Sequence, residues 1–250
     1  MIRMVILAVS LLALVPALAI GLSGPGARLG LWEYGDGLSL MRAAALPAMI
    51  AAGAAFAAFL ASLFAARGLA FLALIAALAA GAAAAVPVMM RAEVNANPFI
   101  HDITTDFDNP PPIVAGAAFP RKNPPEYLGD EPAPRSDLTV AEAQRDAFPD
   151  IRPLTVDGDI DAVADRARAA LDAMGLAIIA DAETADAVVL EATHTSLWYG
   201  FVDDFVVRLT PADNGAVRVD VRSKSRVGRS DVGANAKRVR AFLARMENGA

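Results

Sequence analysis

Hydrophobic positions fall along this chain in two regimes. Up to about residue 90 they run almost unbroken, in three stretches: Met4 to Leu22, Ala43 to Ala66 and Leu69 to Met90. No Asp, Glu, Lys or Arg interrupts any of them. Each is long enough to cross about 30 Å of hydrocarbon at about 1.5 Å per residue. The pattern predicts three membrane-spanning helices, the second and third forming a tight hairpin at Arg67-Gly68. Their alanine richness suits close helix packing. Residues 1–19 also fit a cleavable signal, with Arg3, an apolar run and Ala17-Leu18-Ala19. The two spans that follow closely make an uncleaved first helix the simpler reading. Pro16, Pro47 and Pro87 can kink the helices. No acid or His lies inside a span, so the region reads as an anchor rather than an ion or proton pathway.

After Pro153 the pattern becomes periodic. Ile160, Val163, Ala167, Leu171 and Met174 form a helical stripe behind Asp157 and Asp159, with Gly175 as its stop. Leu176–Ala180 and Ala187–Thr195 read as strands, as do Phe201–Leu209 and the alternating Val217, Val219 and Val221. A last helix runs from about Val232 to Met246, with Ser230 or Asp231 as its cap. The expected domain is α+β and two-layered: an antiparallel four-stranded sheet with two helices on its apolar face, preceded by the transmembrane helical region. Between the two regimes, nine prolines fall from Pro98 to Pro134. Phe99, Ile100, Ile103, Phe107, Ile113, Val114 and Phe119 argue against a loose tether there. The chain therefore divides into a three-helix anchor (1–91), a proline-rich extended segment packed on the domain (92–153) and an α+β core (154–250).

Composition sharpens this division. Hydrophobic residues make up 56% of the 250 positions and charged ones 20%, which excludes a single ordinary soluble domain. The net charge of -6 combines +3 over 1–91 with -9 over 92–250. Nine basic residues and two acidic ones cluster in 218–245. An acidic domain with one basic end does not suit a nucleic-acid surface, but it leaves open a local anion or headgroup site. With no cysteine, disulfide, thiolate and cysteine–zinc chemistry are excluded. The positive-inside count nearly ties, leaning slightly against a domain outside the membrane.

Three stretches carry a family resemblance: Asn97 to Asp106 with the Pro110–Pro112 run, Glu191 to Asp204 through Leu197-Trp198-Tyr199-Gly200, and Val219 to Arg238. Over roughly residues 95–246 the chain resembles the DUF1499 family, a bacterial and plastid family of uncharacterised function. The resemblance implies a domain outside the cytoplasmic membrane of a bacterium, on a multi-pass inner-membrane protein. It supplies no catalytic residues.

Candidate chemistry therefore rests on residue types. His101 with Asp102, and His194, are the weak catalytic candidates, since a carboxylate can orient an imidazole for general-base work. Adjacent residues diverge in a strand, which counts against a His101–Asp102 dyad. The two His with Asp102, Asp106 or Asp203 can also be weighed as metal ligands, but no metal site and no cofactor is expected. Asp203 and Asp204 would face opposite ways on a strand. Arg226, Arg229, Ser230, Asn235 and Arg238 form the candidate ligand site: glycines bracket Arg229-Ser230-Asp231 before a helix start, and backbone N–H groups with an Arg can hold a phosphate or headgroup. The competing reading is a structural turn with Asp231 as helix cap and an Arg paired internally. Trp198-Tyr199 either touch a partner or membrane surface or cover the sheet edge. The leading function is a membrane-anchored binding or structural module for an anionic small molecule, lipid headgroup or envelope protein. The alternative is a hydrolase-type enzyme using His101 or His194 with a nearby carboxylate.

Overall fold

The computed structural model describes residues 1–248 as two compact units. The first comprises Met1–Glu93 together with Leu197–Gly200. Its helices are α1 (Ile2–Arg28), α2 (Tyr34–Ala65) and, after a short 3-10 turn at Arg67–Leu69, α3 (Ala70–Ala96). All three are long and apolar enough to cross a membrane, so the topology is multi-pass. Small residues occupy their shared interior: Ala13, Ala55, Ala76 and Ala80 form one layer, and Ala44, Ala48 and Ala84 pack with Ile20 and Met41 in another. Large apolar side chains such as Leu12, Ile50, Phe64 and Phe71 point outward, which is the arrangement a hydrocarbon solvent favours.

The turn Leu197–Gly200 belongs to this helical unit. The Trp198 indole N–H donates to the carbonyl of Gly21 at 3.2 Å, and the Tyr199 hydroxyl lies 3.0 Å from Ser23 Oγ. A Cβ at Gly24 would overlap the indole. The two aromatics therefore pack on the C-terminal end of α1.

The second unit holds a sheet of six strands: β1 (Asp102–Thr104), β2 (Leu154–Asp157), β3 (Ala177–Glu183), β4 (Val188–Thr195), β5 (Val202–Pro211) and β6 (Ala216–Ser225). Its helices are α4 (Val140–Ala147), α5 (Ile160–Ala173) and α6 (Ala234–Asn248). This corrects the expected four strands and two helices. Strands β3 to β6 form an antiparallel meander. The two extra strands both pair with β6, β2 along Ala216–Val219 and β1 along Arg222–Lys224. Strand β6 is ten residues long, so its outer edge accommodates both end to end. At three and four residues, β1 and β2 are too short to show alternation. Helix α4, with eight residues, is likewise below the length at which periodicity registers. Its capping box, in which Thr139 and Glu142 bond each other's backbone N–H, is nevertheless a sequence signal.

One face of the sheet is apolar. Leu190, Ala192, Phe205, Val207, Leu209, Val217, Val219 and Val221 pack with Val163, Ala167 and Leu171 of α5 and Val239, Phe242 and Met246 of α6. Phe205 meets Phe242 edge to face, with centroids 5.4 Å apart. The other face is charged and still buried. Asp102, Glu191, Asp204, Asp220, Arg222, Lys224 and Arg226 are all under 8% exposed. The chain from Thr105 to Glu126 lies along it: Arg222 donates to the carbonyls of Pro111 and Pro125, Lys224 donates to that of Glu126, and Glu191 accepts the N–H groups of Val114, Ala115 and Gly116.

Candidate functional site

Strand register assembles a polar row at one end of the apolar face. His194 lies opposite Asp203, and Asp203 opposite Ser225. The N–H of Ser225 donates to the carbonyl of His101, just before β1. Alternation puts all four side chains on the face that otherwise carries Ala192, Phe205, Val221 and Ile103. The same alternation hides the row in the sequence. Val217, Val219 and Val221 share their parity with Ser223 and Ser225, so the core-facing positions of β6 turn from valine to serine towards its end.

The first turn of α6 roofs the row. Asn235, fully buried, bonds four ways. Its Nδ2 donates to the His101 carbonyl and to Ser225 Oγ, both at 3.1 Å, and its Oδ1 accepts from Ser223 Oγ at 2.7 Å and from Arg238. One turn on, Arg238 Nη2 lies 3.0 Å from Asp203 Oδ2 and 3.0 Å from His194 Nδ1. A guanidinium can only donate, so His194 Nδ1 accepts and the ring proton sits on Nε2. Burial, with Arg238 alongside, lowers the His194 pKa. Burial and Lys224 also lower that of His101, whose ring bonds the backbone of Arg229. Both imidazoles are neutral at pH 7.

The loop into α6 is strained. Val232 adopts φ 51° and Gly233 φ 82°. A β-branched residue rarely takes the left-handed conformation, and helix α6 accordingly starts at Ala234 and not at Val232. Asp231 accepts from the N–H groups of Gly233 and Asn235 at 2.8 and 2.9 Å. Its burial outweighs those bonds and pushes its pKa up to about 6.

The structure brings together only part of the candidate set. Asn235, Arg238, His194 and Asp203 converge, with the His101 carbonyl on Asn235. Arg229 is exposed beside His101, and Ser230 Oγ accepts from the Val232 N–H. Arg226 lies on the opposite face, where Asp204 takes its Nε and Nη2 at 2.9 and 2.6 Å and also takes Arg121 at 3.0 Å. Asp102 is on that face too, bound bidentately by Arg222 at 2.9 and 2.8 Å and by Lys224 at 2.9 Å. It is therefore not paired with His101. The two imidazoles are three strand steps apart, about 14 Å at the backbone. Among the described residues, no three His, Cys, Asp or Glu side chains cluster as metal ligands.

These strands and α6 lie within a single family match. The profile of a protein family of unknown function, DUF1499, covers residues 102–246. The chain belongs to the DUF1499 family. Comparison with curated proteins gave no match. The DUF1499 region contains all of β1 to β6 and most of α6, so the buried charged face and the polar row, apart from His101 one residue before the match, lie within it.

Proposed function

We propose that this DUF1499 protein is a binding module anchored in the bacterial inner membrane, with its domain on the periplasmic side and an anionic ligand received along the polar row. The observation that carries the reading is the arrangement His194–Asp203–Ser225–His101 under Asn235 and Arg238. It is a hydrogen-bonded polar strip at the end of an apolar face, with neutral imidazoles at both ends. His194 offers an N–H at Nε2, and Arg229, whose backbone bonds the His101 ring, carries an exposed guanidinium on the same loop. The hydrolase alternative is less well supported. The only ring lone pair of neutral His194 is at Nδ1, and Arg238 occupies it, so His194 has no free site at which to accept a proton. Asp102, the carboxylate adjacent to His101, is engaged by Arg222 and Lys224. The periplasmic placement rests on the family resemblance, because the charge count alone nearly ties.

The chain contains two His, both in the row, so histidine-labelled NMR reads this site alone. Titration of the detergent-solubilised protein with inorganic phosphate should move at least one imidazole signal saturably, and Arg229→Gln should weaken the response. Signals unmoved by phosphate, and equally unmoved by vesicles containing phosphatidylglycerol, would refute an anion site here.

A further inference from the structure

A separate cavity of about 350 Å3 opens at the last turn of α3, lined by Val94, Asn95, Phe99, Arg135, Ser136 and Leu138 among others. Its lining carries one cation, Arg135, and no carboxylate. The Arg135 guanidinium lies over the Phe99 ring, 4.0 Å from its centroid, and forms no ion pair among the described residues. Stacking of this kind holds a guanidinium flat with its N–H fork free for an oxyanion. The backbone at Arg135 has φ 66°, a conformation that residues other than Gly and Asn rarely adopt. A local turn imposes it: the Ser136 N–H donates to the Ala133 carbonyl at 3.2 Å, and the Ala133 N–H to the Leu138 carbonyl at 2.9 Å. The Leu138 N–H completes the turn by donating to Ser136 Oγ at 3.1 Å.

Chain connectivity sets how far Asn95 lies past the apolar run. The apolar run of α3 ends at Met90, and Asn95 follows five residues later in the same helix. At about 1.5 Å per residue that is about 7.5 Å past the hydrocarbon edge. The polar layer on each side of a bilayer is about 5–8 Å deep. Asn95, which lines the cavity, therefore falls at the level of lipid phosphates.

We propose that this cavity binds the phosphate-bearing headgroup of a membrane lipid, with Arg135 on the phosphate, Asn95 on an adjoining oxygen, and Val94, Phe99 and Leu138 against the lipid's apolar start. A free phosphate shares the headgroup chemistry but not the apolar part, which separates the two sources experimentally. The test uses the full chain in dodecyl maltoside micelles, with 4-fluorophenylalanine at Phe99 as the 19F NMR reporter. Dihexanoyl phosphatidylglycerol should shift the reporter saturably. Arg135→Gln should weaken that binding at least ten-fold, while Arg91→Gln, a cation on α3 outside the cavity, should leave it unchanged. Arg135→Lys, which keeps the charge but not the planar fork, should recover only part of the affinity, and it serves as the test variant should Arg135→Gln unfold. Inorganic phosphate binding as tightly as the lipid would overturn the lipid assignment. An equal loss in Arg91→Gln would reduce the effect to diffuse surface charge and overturn the site, as would a reporter that no lipid shifts.

Discussion

Burial moves the protonation of His101 and His194 one way and that of Asp231 the other. Both imidazoles have pKa values lowered from 6.5, so the folded state binds fewer protons than the unfolded chain just below that pH. The stability they contribute is present above about 6.5 and is lost as pH falls through their folded values. The Asp231 pKa is raised from 3.8 to about 6. Its contribution is full below about 3.8 and is lost as pH rises through about 6. The two effects oppose each other between pH 4 and 6. Thermal melts across pH 4.5 to 7 should show a steeper acid loss in Asp231→Asn and a shallower one in His194→Gln. Gly233 combines two constraints, a positive φ and a Cβ position filled by the Asn97 side chain. Gly233→Ala should cost roughly 2–3 kcal/mol in urea unfolding, from the sum of backbone strain and overlap.

Strand β6 organises the second unit because both its edges and both its faces are used. Its core-facing valines pack on α5 and α6. Its other face presents Arg218, Asp220, Arg222 and Lys224, and Arg226 continues that face just past its end. Each of these cations meets a carboxylate brought by another strand or by the proline-rich chain, apart from the local pair Arg218–Asp220. Removing a shared carboxylate is therefore expensive. Asp102→Asn leaves two buried cations facing each other and should destabilise by about 3–5 kcal/mol. Arg240–Asp150 provides the contrast: both side chains are at least 40% exposed, and Asp150→Asn should change stability by less than about 1 kcal/mol. Chemical denaturation of the two variants side by side checks the difference.

At the scale of the whole molecule, three spans place consecutive connections on alternate sides of the membrane. The α1–α2 turn and the DUF1499 domain then share a side, and the Arg67-Gly68 turn lies on the other. Because the chain has no cysteine, single introduced cysteines report sidedness without background. Leu29→Cys and Asp186→Cys should react together with a membrane-impermeant maleimide in intact bacterial cells, and Gly68→Cys only after lysis. The reverse pattern would put the domain on the cytoplasmic side.

The amino-acid sequence by itself determined what depends on runs and periods within one segment. Three spans follow from apolar length and absent charge. The four long strands and two long helices follow from alternation and helical stripes, and the Asp231 cap from its place before α6. Tertiary structure decided the remainder. Strands β1 and β2 are too short to signal themselves and exist because β6 has a free edge. Arg222, Lys224 and Arg226 look like a solvated basic end until strands more than twenty residues away, or the distant proline-rich chain, supply Asp204 and Asp102. The row from His194 to His101 requires three strand registers to coincide. Pairing partners and register are set by contacts distant in sequence, and a local pattern cannot carry them.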